Sequence, residues 1–414
     1  MQRSTRYTPG LSRRRFLERA GGLGLTGLLG ASAWDAWADT TAELPFVNGR
    51  REEVAGYPQK GVMLVQRTQP PLLETPFDVF DRGVFTPNDR FYVRWHLASI
   101  PTQIDPARVR VKVRGQVRHP IELTLDELVH DFRPFEIAAV SQCAGNSRGF
   151  YAPRVPGAQW ANGAMGNALW TGVRLRDVLD RAGVKADAVQ VRFNGLDNGL
   201  LPQTPDFLKS LDVEHARDGE VMIAYAMNGE PLPLLNGFPL RLVVPGWFAT
   251  YWVKMLDDIE VLGTRDQNFW MAKAYLIPNT PAADMSPGQK DVKMVPINRM
   301  VPRSFFTSVR DGAELKVGRT TIVRGIAFGG AAGVAKVMFS SDGGQHWQPA
   351  RLGSNHGKYS FRQWEAALRL AAPGPRKLMV RAVNTQGMIQ PDHPNWNGSG
   401  FMRNVIESVS VQGL

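Results

Sequence analysis

The sequence holds one cysteine, Cys143, and its surroundings are the part of the chain best equipped for chemistry. A thiolate is the softest anionic donor a side chain offers. A lone cysteine can therefore supply the single protein bond to a soft or high-valent metal. Five residues on, Arg148 adds a permanent cation, and Gly145 and Gly149 let the backbone turn tightly around whatever binds there. The alternative is a small buried apolar filler, the usual state of a free cysteine. Upstream, the apolar stretch 135–140 reads as a buried strand running into this turn.

The N-terminus reads as an export signal. Ser12-Arg13-Arg14-Arg15-Phe16-Leu17 precedes a glycine-rich apolar run from Ala20 to Ala33, shorter than the roughly 20 residues a membrane span needs. No stable membrane anchor is expected. Paired arginines before a weakly hydrophobic run match the twin-arginine signal. Ala36-Trp37-Ala38 fits the small-x-small cleavage rule, so cleavage is expected after Ala38, with delivery to the periplasm. A plain secretory signal and an uncleaved anchor are the alternatives. The twin-arginine route carries chains folded in the cytoplasm, often around an inserted cofactor. A free thiol in an oxidising compartment is a liability unless it is buried or ligated, which favours a ligand role for Cys143.

The elements that must position these residues follow from composition and pattern. With 414 residues and 43 % hydrophobic content, the chain is long enough for two globular domains. Abundant Gly and Pro without heptads predict mixed, mostly β structure. Part of the net charge of +11 lies in the leader, and no basic block with interleaved aromatics follows, so no nucleic-acid partner is expected. The remaining basic excess suits a small anion or an acidic protein, or is a solvated surface.

Residues 39–85 lack periodicity and read as an extended arm wrapping the first domain. Residues 91–96 and 109–115 alternate as strands, and Thr124-Leu125-Asp126-Glu127 reads as a capped helix start. Residues 175–182 form an amphipathic helix stopped by Gly183. Asn228-Gly229 signals a hairpin, 240–244 a buried strand, and Trp252 the start of the next strand. Residues 279–300 look like a linker. Beyond it, strands at 320–327, 334–340, 377–383 and 405–411 have the spacing of an immunoglobulin-like β-sandwich.

A single cysteine excludes an attached c-type haem, cysteine-rich zinc sites and iron–sulfur clusters. No dinucleotide fingerprint, P-loop or serine-nucleophile elbow is present. A Cys143/His96 nucleophile pair remains open on composition.

Three motifs in order carry a family resemblance. They are Gln142-Cys143-Ala144-Gly145-Asn146, Asn228-Gly229-Glu230-Pro231-Leu232-Pro233, and the run from Gly237-Phe238-Pro239-Leu240-Arg241 to Gly246. Together they resemble the sulfite oxidase family of molybdenum enzymes, from about residue 80 to the C-terminus. Phe91-Tyr92-Val93-Arg94-Trp95-His96 is similar to that family's first cofactor-binding strand. With its leader, the chain looks most like a bacterial periplasmic sulfite dehydrogenase catalytic subunit. The fold implied is α+β: a mixed α/β molybdopterin domain over 86–278, then an immunoglobulin-like dimerisation-type domain over 279–414.

The resemblance implies a role for each matched residue. Cys143 would be the thiolate ligand of molybdenum, the other sulfurs coming from the pyranopterin dithiolene. Tyr92, Arg94 and His96 would line or bind the pterin, with Asp197 from a second cofactor loop. Asn236, Arg241 and Lys254 would hold its phosphate region. Tyr275 would be the active-site tyrosine, and Arg94, Arg148 and Arg403 the substrate-anion pocket. Asn236 stands where the animal members carry His, and Trp95 where they carry Asn; an Asn still donates to a phosphate. The activity implied is two-electron oxidation of sulfite to sulfate. No haem is expected in this chain, so electrons would pass to a separate c-type cytochrome, as acceptor or partner subunit. A homodimer through the sandwich is the other assembly implied.

A sulfane dehydrogenase of the thiosulfate-oxidising system would keep the same layout. A periplasmic methionine sulfoxide reductase would lack the sandwich, so residues 300–414 count against it. A secreted binding module without molybdenum is the reading from another class.

Overall fold

The structure, a computed structural model, describes residues 40–414. The twin-arginine segment and its cleavage point after Ala38 lie outside the described residues. Residues 40–74 are not the extended arm expected. They form strands β1 (Thr40–Glu43), β2 (Arg50–Val54), β3 (Met63–Arg67) and β4 (Leu72–Glu74). With β5 (Val93–Arg94) these make an antiparallel sheet in sequence order. Apolar alternation is missing because the first two strands are largely exposed, and Arg-Arg-Glu-Glu-Val needs no core face there. The sheet ends on the strand that carries Arg94. The strand expected over 91–96 is confined to those two residues.

The central domain holds β6 (Arg110–Gly115), β7 (Ile121–Thr124), β8 (Pro134–Gln142), β9 (Met165–Arg174) and β10 (Gln190–Gly195). It continues with β11 (Lys209–Asp212), β12 (Met222–Met227), β13 (Glu230–Pro231), β14 (Arg241–Val243) and β15 (Leu256–Leu262). One sheet runs β11-β10-β15-β6-β7, with β15 parallel to β6 and the other pairs antiparallel. The other runs β13-β12-β9-β8, and β14 also pairs with β12. Two helices fill the sides. Helix α1 (Leu125–His130) opens on a capping box: the Thr124 hydroxyl accepts from the Glu127 N–H, and the Glu127 carboxylate accepts from the Thr124 N–H. Helix α2 (Leu175–Ala182) buries Leu175, Val178, Leu179 and Ala182 and stops at Gly183, whose φ of 71° is open to glycine at no steric cost. Asn228 and Gly229 both take positive φ and join β12 to β13. Trp252 does not start a strand. Lys254 forms an isolated antiparallel bridge with Arg241, Met255 takes φ 51°, and β15 begins at Leu256.

A hairpin of β16 (Leu276–Pro278) and β17 (Met294–Pro296) gives part of the expected linker regular structure. The remaining strands are β18 (Arg303–Phe306), β19 (Ala313–Leu315), β20 (Thr320–Phe328), β21 (Val334–Ser340) and β22 (Gln348–Pro349). They end with β23 (Arg351–Leu352), β24 (Arg362–Arg369), β25 (Gly374–Asn384) and β26 (Glu407–Gly413). Sheets β18-β20-β24-β23 and β19-β26-β25-β21-β22 enclose a core that includes Val323, Phe339, Trp364 and Val380. This is a two-sheet sandwich.

The sandwich and the central domain are joined by shared packing. One apolar cluster includes Val140, Ala144 and Tyr275 together with Phe305, Phe328, Phe361 and Phe401. The Val140 N–H donates to the Tyr359 carbonyl at 2.9 Å, and Ala139 and Tyr359 form a parallel bridge. The Tyr359 hydroxyl donates to Glu220 at 2.5 Å.

Candidate active site

Strand β8 pairs with β9 along its whole length and delivers Cys143 one residue past its end. The Cys143 N–H donates to the Ala164 carbonyl at 2.9 Å, and the Asn146 N–H donates to the Cys143 carbonyl at 3.0 Å. The Asn146 side chain accepts from the Ala164 N–H, while Ser147 and Gly149 donate to Ala161 and Trp160. The cysteine turn is thus laced to residues 160–164. That segment is held in turn by Glu74 at the end of β4, which accepts from the Ala161 and Gly163 N–H groups at 3.1 and 2.8 Å. Burial pushes the Glu74 carboxyl up to about 7. Gly145 leaves room for the Arg148 guanidinium, which a Cβ there would displace.

The thiol lines a pocket with about 30 Å³ of room for water-sized spheres. Tyr92, Arg94, His96, Cys143, Asn236, Arg241, Lys254 and Tyr275 all line it, with Phe207 and Thr250 completing the wall. These side chains come from β5 and its continuation, the end of β8, the turn before β14, β14 itself, and the approaches to β15 and β16. His96 stacks on Phe207 at 3.6 Å, and its Nε2 lies 2.6 Å from the Tyr275 hydroxyl. Burial holds the His96 pKa well below its usual value, reinforced by Arg94 and Lys254, so the ring is neutral. Burial raises the Tyr275 pKa, which keeps it a phenol. The Tyr92 hydroxyl is 3.1 Å from the Ser141 hydroxyl, and burial raises its pKa as well.

One side of the cavity is cationic. Arg241 is buried, donates Nη1 to the Asn236 carbonyl at 3.1 Å, and lies over the Trp170 and Trp252 rings. Burial lowers its pKa to about 10. Lys254 donates to the Arg94 carbonyl at 2.9 Å and sits over Trp95; burial, then Arg241, push it down to about 7. Asp197 does not line the cavity. Its field raises the Lys254 pKa, and burial pushes its own carboxyl up to about 6.

Arg94 Nη1 and Arg241 Nε are buried without a hydrogen-bond partner among the described residues. Buried donors are seldom left so, and an anion in the cavity would satisfy them. Among the described residues no group of three or more His, Cys, Asp or Glu could hold a metal. Cys143 therefore offers one protein bond, and a metal there needs its other ligands from a cofactor. A soft thiol beside unpaired cationic donors fits a metal-bearing dithiolene cofactor with a phosphate.

Two expected pocket residues are engaged elsewhere. Arg148 donates to the Ala158 and Ser399 carbonyls, both at 3.1 Å, and lies over the Phe401 ring. It does not line the cavity, although its charge favours ionisation of Tyr275. Arg403 pairs with Glu407, four residues on, at 3.0 Å and packs over Phe150. Glu407 also pairs with the fully buried Arg303 at 2.7 Å. The nearby carboxylate keeps Arg403 in this interdomain cluster and away from the cavity wall. Sequence reasoning missed Glu74, Phe207 and the buried cations Lys60 and Lys209. None belongs to a motif, and alternation gave no cue that either lysine is interior.

Comparison with known proteins agrees with this layout. Residues 96–270 match the family described as oxidoreductase molybdopterin binding domain, and residues 295–413 the Mo-co oxidoreductase dimerisation domain. The mitochondrial sulfite oxidase of Mus musculus is 34 % identical over 357 residues, covering 82 % of this chain and 63 % of that protein. The sulfite oxidase of Gallus gallus is 32 % identical over 376 residues, covering 87 % and 80 %. The chain thus spans 63 % of the length of the mammalian relatives it matches. The solved sulfane dehydrogenase SoxCD of Paracoccus pantotrophus shares the fold over 92 % of each chain, with a TM-score of 0.70 at 22 % identity.

Proposed function

This chain belongs to the sulfite oxidase family of molybdopterin oxidoreductases, and we propose that it oxidises sulfite to sulfate at a molybdenum centre bound through Cys143. The observation that carries the reading is the meeting of the only thiol with unpaired cationic donors in one pocket. Bound pyranopterin molybdenum would supply the two-electron redox chemistry and oxygen transfer. The chain supplies the rest. Asn236, Arg241 and Lys254 bind the anionic end of the cofactor, and Tyr92, Arg94 and His96 line its body.

Arg94 also faces the cavity beside Cys143, where a cation lowers the desolvation penalty of a sulfur oxyanion. Arg148 adds long-range positive potential from behind the turn. Tyr275, a phenol hydrogen-bonded to neutral His96, holds a proton where the substrate enters. Electrons leave to a separate c-type cytochrome, the protein works in the periplasm after twin-arginine export, and the sandwich, of immunoglobulin type, supports a homodimer or the cytochrome contact.

Protein made in a host that synthesises the cofactor should contain one molybdenum and one pterin per chain. It should reduce cytochrome c with sulfite and not with thiosulfate. A chain without molybdenum from such a host would sink the reading; activity confined to sulfane sulfur would replace the substrate.

A further inference from the structure

Lys60 lies between β2 and β3, outside every motif discussed above, and only 8 % of it is exposed. Its Nζ donates to the carbonyls of Asn88 and Phe91, at 2.8 and 2.9 Å, and to Oδ1 of Asn236. Three acceptors surround the nitrogen, and an ammonium carries three N–H bonds, so the charged form satisfies all of them. Burial opposes that charge and, with the like charge of Arg241, pushes Lys60 down to about 7, with Asp89 countering. A buried cation held against this penalty, touching a cavity residue, calls for an explanation.

The consequence falls on Asn236. An ammonium has only donors, so it selects the amide oxygen and turns the Asn236 nitrogen the other way. That nitrogen donates one N–H to the Tyr92 carbonyl at 3.0 Å and has a second N–H to give. The Asn236 carbonyl accepts from Arg241, whose Nε is unpaired. We infer that Lys60 is a positioning residue for the anion end of the cavity, locking the Asn236 amide donor-inward and seating Arg241 beside it for a phosphate oxygen. The inference rests on the proposed function for the identity of the phosphate, as part of the cofactor.

The test uses the full chain. Lys60→Met should retain about tenfold less pterin and molybdenum than wild type, the scale of one lost charged hydrogen bond and its partner. Asn236→Ala should lose a similar amount, and the double variant no more than about twofold beyond either single, because both remove one contact. Losses that multiply in the double variant, or wild-type cofactor in Lys60→Met, would overturn the inference. Should Lys60→Met fail to fold, Asn236→Asp replaces it. That change keeps an acceptor for Lys60 but removes both Asn236 N–H groups, the one to the Tyr92 carbonyl included, and should still lose cofactor; full retention overturns the idea.

A second readout does not depend on the cofactor. Inorganic phosphate should raise the Tm of cofactor-free wild type, and Lys60→Met should cut that rise by at least about half. Wild type lacking pterin from a competent host would defeat the functional reading. An equal phosphate effect in both proteins would defeat the role of Lys60.

Discussion

A neutral imidazole and a neutral phenol 2.6 Å apart form a pair with one proton between them, placed at the cavity wall. Tyr275→Phe removes that proton and leaves the ring packing on Phe401 intact. Turnover should fall roughly 10²-fold, the scale of general acid–base assistance. Molybdenum content should stay at the wild-type level, measured on the same preparation. Lys209 supports a pH prediction. It is buried over the Tyr251 and Tyr275 rings, donates to the Trp270 carbonyl, and is pushed down to about 7 by burial. The unfolded lysine keeps its proton to about pH 10. Between about pH 7 and 10 the unfolded chain therefore binds more protons, and stability rises with pH. Urea midpoints of cofactor-free protein should climb over that window. Lys209→Met should make the climb shallower; an unchanged slope would show that Lys209 keeps its proton inside the fold across that window.

Among the elements, those with a local code were legible. The Thr124–Glu127 box, the Gly183 stop and the Asn228-Gly229 hairpin each depend on a few neighbouring side chains, and each is formed. Thr124→Ala should cost about 1 kcal/mol of stability with no change in cofactor content, read by denaturant melts. Elements whose code lies far away were not legible. Strands β1 to β4 are defined by pairing with one another and with β5, and the charged exposed pair disguises them. The same holds within the site. Tyr92, Arg94, His96, Cys143 and Arg241, which line the cavity, sit in short motifs that could be read locally. Glu74 and Lys60 act through hydrogen bonds to residues 87 and 176 positions away, a relation no window of sequence contains. Arg403 is held by Glu407, only four residues on, at 3.0 Å.

At the scale of the molecule, the two domains meet through charge as well as apolar packing. Arg303 on β18 has no exposed side-chain surface and reaches the Ser147 hydroxyl behind the cysteine turn at 3.0 Å. Its carboxylate partner, Glu407, opens β26 and also serves Arg403. Glu407→Ala would leave two enclosed guanidiniums without a counter-charge and should cost roughly 3–5 kcal/mol, visible as a lower urea midpoint. If the midpoint moves by less than about 1 kcal/mol, the cluster is hydrated and the domains are held by the apolar cluster alone.

The bridge between Ala139 and Tyr359 has a consequence for the chain among its neighbours. Strand β8 is the outermost strand of its sheet, and Val140 lies two residues from its end. A bare row of amides there would be a template for another molecule to dock and grow a cross-chain ribbon. Tyr359 interrupts that row at one point, where its carbonyl accepts from the Val140 N–H. The sandwich therefore covers this edge at one position, so cutting it away should bare a strand on which chains can aggregate.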